Sequence, residues 1–136
     1  VTRALLAALL LGIAAAPAQD PQFFALDVYV ETGARPLAAY QFEVTTGARI
    51  VGVEGGEPAC FRAAPYYDPA ALQGGRIIVA AFTLDADPPA GRVRVARLHM
   101  MESGEAKFET KLVVAAAPGG ERFDARIDVV KSGGSR

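Results

Sequence analysis

Tryptophan is absent from the 136 residues, and histidine and cysteine occur once each, as His99 and Cys60. A zinc centre of clustered His and Cys ligands therefore has no material here. A disulfide framework within the chain is excluded as well, because Cys60 has no second cysteine, so core packing must supply the stability. Cys60 reads as a small buried hydrophobe. Its one basic neighbour in sequence is Arg62, which gives an activated thiol little support. Charge of one sign is also lacking. Fourteen Lys and Arg stand against fifteen Asp and Glu, a formal net charge of −1. No long-range field draws in nucleic acid or an acidic membrane.

Long helical patterns are missing beyond the N-terminus. The first residues, VTRALLAALLLGIAAAPAQD, place Arg3 before an apolar run at residues 4–15, followed by the small-x-small site Ala16, Pro17, Ala18. This is the three-part pattern of a secretory signal peptide, and the apolar run is short for a bilayer span. Cleavage is expected after Ala18, with the folded chain at residues 19–131 and a polar tail at 132–136. The absence of a cysteine after the run argues against a lipid anchor. Val1 fits a bacterial alternative start, so the expected location is extracellular or periplasmic, with no membrane span after cleavage.

What remains is a series of short extended runs. Residues 23–30 place Phe24, Leu26, Val28 and Val30 on one face and Ala25, Asp27 and Tyr29 on the other, the period of a strand. Residues 37–44 alternate in the same way. Tyr40, Phe42 and Val44 point inward, and Gln41 and Glu43 outward. A strand at 48–54 ends at Gly55 and Gly56. Residues 75–84 are a near-continuous apolar run, the pattern of a strand covered on both faces. Residues 107–117 and 121–130 flank Pro118-Gly119-Gly120, which reads as a hairpin loop. Between the third and fourth runs, Asp68 and Pro69 open what reads as one helical turn. The total is eight or nine strands with turn signals every 8–14 residues. That pattern predicts a single all-β domain, an immunoglobulin-like or jelly-roll sandwich.

One run is irregular. In residues 92–101 the apolar positions are Val93, Val95, Leu98 and Met100, spaced two, three, two. A β-bulge near Ala96 returns them all to one face. The outward set is then Arg92, Arg94, Arg97 and His99. It reads either as a charge-protected solvent face or as a basic stripe for an anionic partner, and the neutral chain favours the first.

Catalytic chemistry finds few candidates. A nucleophile needs a base within hydrogen-bond reach; the one possible dyad joins Cys60 to His99, and the bulge turns His99 outward. No serine stands in a G-x-S-x-G turn. Asp85 and Asp87 share one loop, and Glu102 and Glu105 another. Calcium takes such oxygen ligands, but the D-x-D-x-D-G spacing is lacking, so no cofactor is expected. Tyr66 and Tyr67 are the one exposed-looking aromatic pair, and aromatic rings stack on sugar faces.

Four stretches in order carry a family resemblance over residues 23–130. They are LAAYQFEV, ARIVGVEGG, GRIIVAAFTLDADPPAGRVRVARLHM and PGGERFDARIDVV. In this order they resemble the cohesin domain, and more broadly the sandwich that cohesins share with cellulose-binding modules. The resemblance implies a non-catalytic module that docks a protein partner, a dockerin-like module, through one sheet face; cohesins assemble secreted polysaccharide-degrading complexes. The contacting positions differ among cohesin types, so the resemblance assigns none here.

The expected function is therefore binding on a rigid sheet face, to a protein or to a polysaccharide. Gln41, Glu43, Arg92, Arg94 and Arg97 are the candidate polar contacts with a partner, and Tyr66 and Tyr67 the candidate sugar contacts. A self-associating structural or envelope protein, joined through exposed sheet edges, is the second reading. A small hydrolase is the third.

Overall fold

The computed structural model describes residues 20–102 and 107–132. The expected signal peptide and the loop that carries Glu105 lie outside these residues. Seven strands form the described chain: β1 (Gln22–Glu31), β2 (Ala39–Thr46), β3 (Arg49–Gly55), β4 (Arg76–Phe82), β5 (Arg92–Glu102), β6 (Phe108–Ala116) and β7 (Arg126–Ser132). The expected count of eight or nine was too high: each of the seven extended runs forms one strand, and the segments between them add only 3-10 turns and the single bridges of Tyr66 and Arg122. Two short 3-10 turns, Ala59–Phe61 and Pro69–Gln73, lie between β3 and β4. The second starts as its residues dictate. The Asp68 carboxylate accepts from the Ala70 N–H at 3.0 Å, and Pro69 occupies the first position, where no N–H is needed.

The strands make two antiparallel sheets, ordered β3-β5-β1-β7 and β4-β2-β6. Odd-numbered strands lie in the first and even-numbered strands in the second, so the chain changes sheet at every connection. This overturns the expected hairpin at Pro118-Gly119-Gly120. The Phe123 N–H does donate to the Ala115 carbonyl at 3.0 Å, and Arg122 bridges Ala116, but the chain then crosses to the other sheet and pairs with β1. Ile127 and Val129 are thereby packed against the core. Ser132, expected in a polar tail, is the last residue of β7, and its hydroxyl donates to Asp27 at 3.3 Å.

The inner faces share one core. Leu26, Val28 and Val30 of β1, Phe42 and Val44 of β2, and Ile77 and Val79 of β4 are fully buried, as their alternation requires. Each such side chain contributes about 1.5–3 kcal/mol by leaving water. The bulge in β5 falls where the spacing puts it. Val28 pairs with Ala96 and Tyr29 with Arg94, so Val95 is the extra residue. Val93, Val95, Ala96, Leu98 and Met100 are all buried as a result.

The bulge also explains Tyr40. Val95 has no partner in the β1 or the β3 register. Its carbonyl accepts instead from the Tyr40 hydroxyl, across the core, at 3.1 Å. Tyr40 is 2% exposed, stacks on Phe42 and meets Phe61 edge-on at 5.4 Å. Burial pushes its phenol above the ordinary value, so it remains a donor. The ring is core, and its polar tip ties one sheet to the irregularity of the other.

Where β3 ends, backbone meets backbone. A Cβ on Gly55 would lie 2.2 Å from the Arg62 carbonyl oxygen, and one on Gly56 2.1 Å from that of Arg94. Only glycine permits this approach, which seats the Ala59–Phe61 turn against the sheet edge and drives Phe61 into the core.

Candidate functional site

The seven candidate residues do not form one surface. Gln41 and Glu43 project from β2, the centre of the three-stranded sheet; Arg92, Arg94 and Arg97 project from β5, in the four-stranded sheet. Their faces point in opposite directions, because the two sheets share the core between them. A single docking face built from all five is excluded by this topology.

On the outer face of the four-stranded sheet the arginines meet acids from neighbouring strands. Arg97 donates through Nε and Nη2 to the two oxygens of Asp27, at 2.6 and 3.3 Å. Asp27 is buried. The Arg97 hydrogen bonds hold its carboxyl below the usual carboxylate range, against the opposing effect of burial. Arg92 bridges Glu31 and Asp128 at 2.8 and 2.7 Å and lies over the Tyr29 ring at 4.0 Å. Arg126 pairs with Glu31 from the other side, and these two arginines lower the Glu31 carboxyl. His99 Nε2 contacts Glu54 Oε2 at 3.1 Å. The register makes this network: Asp27 faces Arg97, and Glu31 faces both Arg92 and Arg126. The basic stripe seen in one strand is mostly neutralised by its neighbours. At one end of this face the charges give way to Phe23 and Val51, which flank an open groove of about 620 Å³.

The outer face of the three-stranded sheet is different. Nothing in the described chain covers β4 on that side, so Ile78 and Phe82 are exposed and Leu84, just past the strand, is 91% exposed. The expectation that residues 75–84 are covered on both faces is therefore wrong. Ile77 and Val79 are buried and Ala81 packs against the core, because the four-stranded sheet covers only one face of this one. Tyr66 extends this edge. Its N–H and carbonyl pair with Ala80 at 2.8 and 3.0 Å, and its ring, 71% exposed, lies near-parallel to Phe82 with centroids 6.4 Å apart. Tyr67 turns the other way and packs against the core.

The two tyrosines thus have separate roles, and Gln41 joins them. An open groove of about 440 Å³ is bordered by Gln41, Tyr66, Tyr67, Asp68, Arg76 and Ile78. Beside it, Arg76 holds Glu43 in a two-point ion pair and keeps that carboxyl below its usual range. Tyr66 and Gln41 come from residues 25 apart in sequence, and the structure brings them to one place. Phe82, Ile78 and Leu84 were missed as surface residues. Their signal was present as a long apolar run, but the run alone does not distinguish burial on two faces from exposure on one.

The remaining candidates separate. Cys60 lies in the first 3-10 turn with Thr83 and Asp85 beside it; burial first, and then the Asp85 charge, push its thiol up. His99 stands on the outer face of the four-stranded sheet with Glu54, so the two do not form a dyad. Among the described residues no three His, Cys, Asp or Glu side chains gather as a metal ion requires, and no helix is long and apolar enough to cross a membrane. Comparison with protein-family models, with curated proteins and with solved structures gives no match.

Proposed function

We propose that this protein is a secreted, non-catalytic binding module, an immunoglobulin-like or jelly-roll sandwich of the cohesin kind, which docks a partner protein on the outer face of its three-stranded sheet. The observation that carries the reading is the exposure of Tyr66, Ile78, Phe82 and Leu84 on one uncovered face. Isolated exposed apolar residues are ordinary, but a contiguous set beside polar groups marks an interaction surface. Gln41 and the Arg76–Glu43 pair form the polar border on which a partner's hydrogen bonds would be placed. Docking on such a face needs no chemistry, and none of the candidate catalytic residues stands there.

A polysaccharide on the same groove is the second reading. It is favoured by the Tyr66 ring, free for stacking, with the Gln41 amide next to it. Self-association through a sheet edge ranks below both. The free edge of β6 is interrupted by a bulge at Val113, a feature that disrupts strand addition.

The test is a capture experiment on the secreted fraction with immobilised protein, run beside the Tyr66→Ala/Phe82→Ala double variant. A protein retained by the wild type and lost with the variant supports docking on this face. Retention of soluble polysaccharide in affinity electrophoresis, lost with Tyr66→Ala, supports the second reading. Equal capture by wild type and double variant excludes the face.

A further inference from the structure

The strand register sets the outer face of the three-stranded sheet in rows. Arg76, Thr45 and Glu109 lie side by side across β4, β2 and β6. Ile78, Glu43 and Lys111 form the next row, Ala80, Gln41 and Val114 the third, and Phe82, Ala39 and Ala116 the fourth. Two bridges widen the face. Tyr66 extends the third row beyond β4, and Arg122 extends the fourth beyond β6. Residues paired across strands share a face, so the two flanks of the sheet differ in kind. The β4 flank carries the exposed Tyr66, Ile78 and Phe82, with Asp68 in the same groove as Tyr66 and Ile78. The β6 flank carries Val114 with the exposed Lys111, Glu109 and Arg122.

Four charges on these flanks are unanswered in their own chain. Asp68, Glu109, Lys111 and Arg122 make no ion pair with another described residue. Arg76 gives Nε and Nη2 to Glu43, yet its side chain is still 59% exposed. A half-turn about an axis along β2 lays the β4 flank of one copy on the β6 flank of another, row on row. Arg76 then faces Glu109 of the second copy, and Asp68, beside Ile78, faces Lys111. Tyr66 faces Val114, and Phe82 faces Ala116 and Arg122, a ring beneath a guanidinium. Each contact occurs twice, as in any two-fold interface. On the axis stand Gln41, whose amide both donates and accepts, and Glu43, whose charge is met by Arg76 and Lys111 of its own chain. A half-turn about an axis across the strands matches nothing, because it sets Arg76 and Glu109 on Phe82 and Ala116. The formal net charge of −1 puts no long-range repulsion between copies.

We propose that the partner for this face is a second copy of the chain, docked sheet to sheet about a two-fold axis along β2. The inference rests on the reading that this face docks a protein, and it names the protein. No strand is added at a sheet edge. At ordinary strand spacing the rows cover roughly 500 Å² on each copy, less than the ~800 Å² per partner of a standard interface, so the dimer is weak and exchanges with monomer.

The test combines sedimentation equilibrium of the secreted protein, from micromolar to millimolar, with an isotope-filtered NOE experiment on an equal mixture of labelled and unlabelled protein. A monomer–dimer equilibrium is expected, with an NOE between the Tyr66 ring and the Val114 methyl groups. Within one chain these residues stand three strand spacings apart, about 14 Å, so the contact arises only between copies. Glu109→Lys faces the uncharged Thr45 within its own sheet and Arg76 in the second copy, and is expected to weaken dimerisation at least tenfold. A monomer at every concentration, a dimer without the Tyr66–Val114 contact, or unchanged dimerisation in Glu109→Lys overturns the inference. Capture of a different protein, lost with Tyr66→Ala/Phe82→Ala, would then leave the docking face standing with another partner. Failure of both experiments removes the face and the inference together.

Discussion

The two outer faces of this protein use the same strand geometry for opposite purposes. On the four-stranded sheet, Asp27, Glu31 and Asp128 meet arginines from other strands, Glu54 meets His99, and Asp27 binds both Arg97 and Ser132. Most of its charge is matched within the fold. On the three-stranded sheet, Arg76 of β4 answers Glu43, but Ile78 and Phe82 also point outward from β4 and stay exposed. The first face contributes to stability and offers little to a partner. The second contributes little to stability and leaves apolar surface open. Charge on a strand is therefore a poor guide to where a sandwich binds; what matters is whether the neighbouring strand answers it.

The contrast predicts which substitutions affect binding and which affect stability. The largest effect is expected from Tyr66→Ala combined with Phe82→Ala. Affinity for a partner captured on that face should fall by about 2 kcal/mol or more, as for a pair of aromatic anchors, with the unfolding midpoint in urea nearly unchanged. Loss of stability in parallel would show that the rings belong to the core after all. Next is Asp27→Asn, which removes the negative charge and one of the two oxygens that accept from Arg97. Solvent at the Arg97 end screens the interaction, so the cost should be about 1–2 kcal/mol by chemical denaturation, with binding on the other sheet intact.

The same aspartate gives a pH dependence of defined sign. Its folded carboxyl lies below the ordinary range, so its contribution is fully present above the unfolded value near 4. It is lost as pH falls through the lower folded value. The stability gap between wild type and Asp27→Asn should close in acid below about pH 4, and a gap that widens there would contradict the assignment. Tyr40→Phe is expected to cost about 1 kcal/mol, because the Val95 carbonyl loses its donor inside the core. The smallest effect belongs to Arg92→Ala, whose side chain is held among exposed acids. No resolvable change in unfolding midpoint is expected, since exposed pairs contribute little.

Much of the strand structure was legible in the residues themselves. The alternation in 23–30 and 37–44 identified the buried faces, and the two-three-two spacing located the bulge at Val95 and Ala96. The connections were not legible. Pro118-Gly119-Gly120 makes a tight turn whether the next strand pairs with the last or crosses to the other sheet, since turn chemistry is local and sheet order is not. The division of Gln41 and Glu43 from the three arginines was hidden for the same reason. Outward position is set by the period of one strand, but which way outward points depends on the sheet that the strand joins. The second role of Tyr40 was also out of reach, because its acceptor, the Val95 carbonyl, is freed by an irregularity 55 residues away.

The central claim is that partners dock on the three-stranded sheet. Chemical-shift mapping of the labelled protein with the captured partner tests it most directly. The account predicts perturbations at Gln41, Tyr66, Ile78 and Phe82, with Asp27, Arg92 and Arg97 unmoved. Perturbations concentrated on Asp27, Arg92 and Arg97, with the Tyr66 face silent, would contradict it.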